Sequence, residues 1–141
     1  MQKNRKNIPP IINDGNDLYI GICYADEIFE KKGKKFLVDD DINKEIAIIR
    51  YQGRLYCFLN ICPHNHKHEI YNAIINNGNL TCPVHGWTFS LETGDNINKN
   101  QGIRKLKKFD VEEINNIVYL KNPIFDVPKW KKDDNFEWFR D

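Results

Sequence analysis

The chain has 141 residues and a formal net charge of +1, a length that fits one domain able to bury a core without disulfide staples. Its lysines, Lys31, Lys32, Lys34 and Lys35 and again Lys105, Lys107 and Lys108, are interleaved with acids, so they read as a solvated surface and nothing argues for a nucleic-acid partner. No apolar run approaches the ~20 residues of a membrane span, and the polar, basic start, Met1 to Asn7, is followed by no apolar signal core.

Residues 1–17 read as a loose leader, stiffened by Pro9-Pro10 and ending in the turn chemistry of Asn13-Asp14-Gly15-Asn16-Asp17. From Leu18 the signals are mostly strand: Leu18 to Tyr24, Phe36 to Val38 and Ile46 to Tyr51, with Gln52-Gly53 turning into Leu55 to Leu59. A short apolar piece, Ile70 to Ile75, precedes the tight turn Asn76-Asn77-Gly78-Asn79 and Leu80-Thr81. Trp87 to Leu91 reads as a strand closed by Glu92-Thr93-Gly94-Asp95, and Phe109 to Ile114 and Ile117 to Leu120 as a hairpin through Asn115-Asn116. Short strands at regular spacing predict an all-β class, an antiparallel sandwich or barrel-like core. The tail, 122–141, changes character: Pro123 and Pro128 break structure, and Trp130, Phe136, Trp138 and Phe139 sit among charged residues. Those aromatics suit packing back on the sandwich, a short helix over 133–139, or a docking segment for a partner.

The chemistry concentrates in Cys62-Pro63-His64 and Cys82-Pro83-Val84-His85, two Cys/His pairs separated by seventeen residues. Thiolates and imidazoles arriving as matched pairs on two loops suit a metal centre with two different halves. The same four residues could hold zinc tetrahedrally, although this spacing is unusual for a zinc finger. Cys23 and Cys57 lie in predicted strands beside apolar residues and read as buried structural thiols. Four cysteines in all are too few for a secreted disulfide framework and favour the cytoplasm.

The ligand pairs, with the Gly86-Trp87-Thr88-Phe89 and Thr93-Gly94 that follow, resemble the Rieske [2Fe–2S] proteins, whose cluster has two His in place of two Cys on one iron. The likeness is to the ferredoxins and the Rieske domains of ring-hydroxylating oxygenase systems, and it runs from roughly Leu18 to Lys121. It implies a sandwich over 18–121 carrying a small cluster-binding subdomain at about 60–92, and one [2Fe–2S] cluster. Cys62 and Cys82 would hold the inner iron and His64 and His85 the outer one. With two neutral imidazoles the oxidised cluster has no net charge, so it accepts an electron more readily than a four-Cys cluster. In the respiratory members a Ser follows the His-Gly and a Tyr stands two residues later. Trp87 and Phe89 occupy those positions here, and Lys67 and Val84 replace the two cysteines of the respiratory disulfide. Both departures predict a low potential, near the bottom of the family range of roughly −150 to +300 mV.

The resemblance implies a one-electron carrier between a flavin- or NAD(P)H-dependent reductase and a terminal oxygenase. The alternative it leaves open is a small Rieske subunit, or a partial N-terminal domain, of a multi-component oxygenase or oxidoreductase. A complete oxygenase of this kind also needs a mononuclear iron site with two His and a carboxylate, and the twenty residues after Lys121 contain no His. Two local departures stand out. His66 takes a position usually held by Gly, and it and His68 read as surface loop residues. The loop Asn96 to Gly102 lacks the prolines that shield the cluster in many relatives.

Overall fold

The computed structural model describes residues 11–38, 40–63, 66–84, 86–98, 100 and 104–125. The architecture is organised by the most apolar run, Ile46 to Ile49, inside strand β4 (Asp41–Tyr51). Successive side chains of a strand point to opposite faces, and here both faces are covered. Ile46 and Ile48 enter one core with Cys23, Cys57, Leu59, Val118 and Leu120. Ala47 and Ile49 enter a second with Tyr56, Phe58, Leu80 and Phe89. Strand β5 (Arg54–Leu59) alternates in the same way, Cys57 and Leu59 to the first core and Tyr56 and Phe58 to the second. A continuous apolar run is therefore what this central hairpin requires.

Around it lie β1 (Ile11–Asp14), β2 (Asp17–Tyr24), β3 (Gly33–Val38), β6 (Ile74–Asn76), β7 (Asn79–Thr81), β8 (Thr88–Ser90), β9 (Lys108–Ile114) and β10 (Ile117–Lys121). Seven strands form one sheet in the order β1-β2-β10-β9-β5-β4-β3, and β6-β7-β8 form a smaller one. All of these pairings are antiparallel. Three hairpins close through two-residue loops with positive φ at both positions: Gln52-Gly53, Asn77-Gly78 and Asn115-Asn116. That is the turn whose twist matches paired strands. Single 3-10 turns occur at Ala25–Glu27 and Ile70–Asn72, and none of the described helices could cross a membrane. The expected all-β antiparallel architecture is the one observed.

Three expected boundaries differ. The stretch read as a leader carries β1 in its second half, because Ile11 to Asp14 find a complete antiparallel partner in β2. Strand β4 begins at Asp41 rather than Ile46: its polar end pairs with β3 across a bulge between Leu37 and Val38. The piece Ile70 to Ile75 is a 3-10 turn followed by β6, which lets Ile70 and Ile75 point inward while Ile74 faces solvent. At the other end, Asn122 ties its chain to β2, accepting from Leu18 N–H at 2.8 Å and donating to Leu18 O at 2.8 Å, and Phe125 packs on Phe109 with ring centroids 4.8 Å apart. Trp130, Phe136, Trp138 and Phe139 lie outside the described residues.

Arg50 fastens the connection between β2 and β3 to the central hairpin. Its Nε donates to Ile28 O at 2.7 Å, Nη2 to Ala25 O at 2.8 Å and Nη1 to Gly53 O at 3.0 Å. Three diverging acceptors suit a planar guanidinium and not an ammonium. Arg50→Lys should lower the unfolding free energy by about 1–2 kcal/mol, read from urea denaturation; an unchanged midpoint would contradict the assignment.

Candidate metal centre

Both Cys-Pro loops leave the ends of core strands and fold alike. Cys62 follows β5 after Asn60-Ile61; its N–H donates to Lys67 O at 2.9 Å, and its carbonyl accepts from His66 N–H at 2.8 Å. Cys82 follows β7; its N–H donates to Trp87 O at 2.8 Å, and its carbonyl accepts from Gly86 N–H at 3.0 Å. Each loop thus closes on its cysteine with partners at the same two offsets, four and five residues on. Each carries a proline directly after the cysteine, which has no N–H to satisfy and fixes its own φ. The residue four after each cysteine is left-handed, φ +60° at His66 and +77° at Gly86. His66 therefore does the work of a glycine at a modest steric cost, histidine being among the residues enriched in that region.

The two cysteines share one core, with Phe58, Ile70, Leu80, Phe89 and Leu91 around them. Both are buried and neither is in a disulfide. An uncompensated thiolate in such surroundings is costly, so a pair of them on matched loops fits a bound cationic group. The Thr81 and Thr88 hydroxyls face each other at 2.9 Å under the second loop, and Arg104 Nη1 donates to Pro63 O at 3.2 Å, holding the first from outside. His64 and His85, the expected imidazole ligands, lie outside the described residues, as do Lys99 and 101–103 of the loop that lacks proline.

The other positions singled out in the sequence sort clearly. Cys23 and Cys57 are fully buried in the opposite core. Desolvation pushes the Cys57 thiol well above its ordinary value, and the neighbouring Cys23 adds to it. Both are the structural thiols expected. Lys67 and Val84 are exposed. Phe89 is fully buried, and Trp87 leans against it with ring centroids 6.4 Å apart; neither side chain carries a hydroxyl. The reading of His66 and His68 as surface loop residues needs correction. Both are half-buried, and His68 Nδ1 lies 2.9 Å from Glu45 Oε1.

Sequence reasoning missed Glu45, Asn60 and the Tyr56–Glu92 contact. The Tyr56 hydroxyl donates to Glu92 Oε1 at 3.1 Å, joining the large sheet to the turn beyond β8. Burial and that carboxylate raise the Tyr56 pKa above its ordinary value. The only signal in the sequence was a carboxylate at the head of an apolar run and an asparagine two residues before a ligand loop.

The match to known proteins agrees with this geometry. The family model for the Rieske [2Fe-2S] domain matches residues 19–110. The chain belongs to that family, and its cofactor is one Rieske-type [2Fe–2S] cluster. The ferredoxin component of the alkene monooxygenase system of Xanthobacter autotrophicus is 29% identical over 80 residues, 57% of this chain and 63% of that protein. The matched stretch thus spans somewhat under two thirds of that relative. Among solved structures, the ferredoxin of carbazole 1,9a-dioxygenase from Nocardioides aromaticivorans IC177 superposes with a TM-score of 0.62 at 18% identity, covering 72% of this chain and 95% of that one. A putative NADH-dependent nitrite reductase small subunit from Mycobacterium tuberculosis gives 0.66 at 14% identity, covering 77% and 97%. At these identities the structural likeness is one of fold.

Proposed function

We propose that this protein is a one-electron carrier of low potential that takes electrons from a flavin- or NAD(P)H-dependent reductase and delivers them to a terminal oxygenase in the cytoplasm. The observation that carries the reading is the pair of matched loops around Cys62 and Cys82 in a chain similar to the ferredoxin component of a monooxygenase system. Cys62 and Cys82 would hold one iron of the cluster, and His64 and His85 the other. When bound, the cluster supplies a one-electron couple. The protein's part is to hold it. The buried surroundings of Cys62 and Cys82 keep water from the sulfur side. The two prolines stiffen the loops so that little rearrangement accompanies a change of charge. Trp87 and Phe89 offer no hydroxyl to the sulfur atoms, so the reduced form lacks that stabilisation and the potential stays low.

A second reading is favoured by the fold likeness to the nitrite reductase small subunit: a small Rieske subunit held permanently in a larger oxidoreductase. Recovery of the chain in a stable complex rather than as a shuttling component would favour it.

The proposed role is tested by a reductive titration followed by reoxidation. The protein should take up one electron per chain and return it with full recovery of the visible spectrum, at a midpoint near the bottom of the range of about −150 to +300 mV. Uptake of no electron, or a midpoint near the top of that range, would count against it.

A further inference from the structure

Among the described residues, the core holds two buried polar side chains, Glu45 at 6% exposure and Asn60 at 0%. Both point to the same place. Asn60 stands two residues before Cys62, and its N–H donates to Glu45 O at 2.8 Å, continuing the ladder beyond the end of β5. Its side chain meets three residues, and the orientation of its amide follows from one fixed donor. The backbone N–H of Tyr71 can only donate, so Asn60 Oδ1, 2.8 Å away, is the acceptor. The amide Nδ2 must then face Glu45 Oε1, at 2.8 Å, and the His68 carbonyl, at 3.3 Å. Glu45 Oε1 thereby accepts from the amide, and the Nδ1–H tautomer of His68 would give it a second donor at 2.9 Å.

A carboxylate with so little exposure is costly unless donors surround it. Here one donor comes from the residue entering the first ligand loop and the other from the residue leaving it. We propose that Glu45, Asn60 and His68 form a polar latch that holds the first ligand loop closed on the sandwich and governs how long the cluster is retained. His68 acts here as a positioning residue and not a ligand. The inference rests on the reading that Cys62 belongs to the cluster site.

The test uses the cluster-loaded protein and follows the bleaching of its visible absorbance in excess iron chelator. His68→Ala removes one of the two donors to Glu45, so the melting temperature should fall somewhat with the strand core still folded at the assay temperature, while cluster loss becomes about 10- to 100-fold faster. His68→Asn, which can present an N–H to Glu45, should recover much of the slow rate. Glu45→Gln keeps an acceptor oxygen and should fall between His68→Ala and the parent. Bleaching of His68→Ala at the parent rate would overturn the latch, as would His68→Asn bleaching as fast as His68→Ala. Cys62→Ser separates the two ideas: it should carry no cluster at the outset, and a full cluster there would sink the ligand reading instead.

Discussion

Cys62→Ser and Cys82→Ser should each yield a protein without iron–sulfur absorbance whose large sheet remains folded. The physical basis is the separation of the two cores. Cys62 and Cys82 pack in the one between the central hairpin and the small sheet. The first core, with Ile46, Ile48, Leu59, Val118 and Leu120, contains neither of them. A serine hydroxyl is a harder and far less acidic donor than a thiol, and iron bridged by sulfide prefers thiolate. Cys23→Ser and Cys57→Ser make the contrast, since both thiols lie fully buried in the opposite core. They should keep the cluster and lose stability instead, because a hydroxyl then needs a partner in an apolar site. Iron and sulfide analysis beside far-ultraviolet circular dichroism would read both halves. A Cys62→Ser protein with its full iron content would show the first loop to be misassigned.

Gly94→Ala should be the most damaging added methyl among the described glycines of the second half of the chain. Gly94 is left-handed at φ +80°, and a Cβ there would stand 2.6 Å from the Leu106 carbonyl oxygen. That contact cannot be relieved by a side-chain rotation, because the opposing atom is backbone. It is also fixed in place: Leu106 N–H donates to Gly94 O at 2.9 Å, and Gly94 N–H donates to Ser90 O at 2.7 Å. Left-handed strain and overpacking together are worth roughly 2–5 kcal/mol. The Thr93-Gly94 turn closes the segment that carries β8 and, before it, the Cys82 loop. The variant should therefore unfold at lower urea concentration and lose its cluster readily, and a melting profile equal to the parent's would contradict the packing described.

Much of this was legible in the sequence, and for physical reasons. Asn77-Gly78 and Asn115-Asn116 form the predicted turns because few other residues accept positive φ twice in succession. The apolar run Ile46 to Ile49 read as a strand, and the two cores show why it is apolar on both faces. Cys62 and Cys82 stood out because thiolates and imidazoles at this spacing have few other uses, and the structure gives their two loops the same closure. What escaped notice depended on partners distant in sequence. Strand β1 is short and lies beside Pro10, so only its pairing with β2 defines it. Asp41 to Lys44 are polar apart from an exposed Ile42 and join β4 through a bulged edge. Glu45 carried no signal of its own; its partners Asn60 and His68 lie fifteen and twenty-three residues away. His66 was conspicuous as a missing glycine, but its backbone conformation became clear only from the parallel with Gly86.

The proposed electron carrier stands or falls on a cluster ligated by two thiolates and two imidazoles. Electron paramagnetic resonance of the dithionite-reduced protein reports on that ligand set, because replacing thiolate by imidazole on the reducible iron lowers the average g value. One rhombic signal is expected, with the low average g of a Rieske centre, integrating to one spin per chain. The higher average g of a four-thiolate [2Fe–2S] cluster, or a silent sample containing zinc, would contradict it.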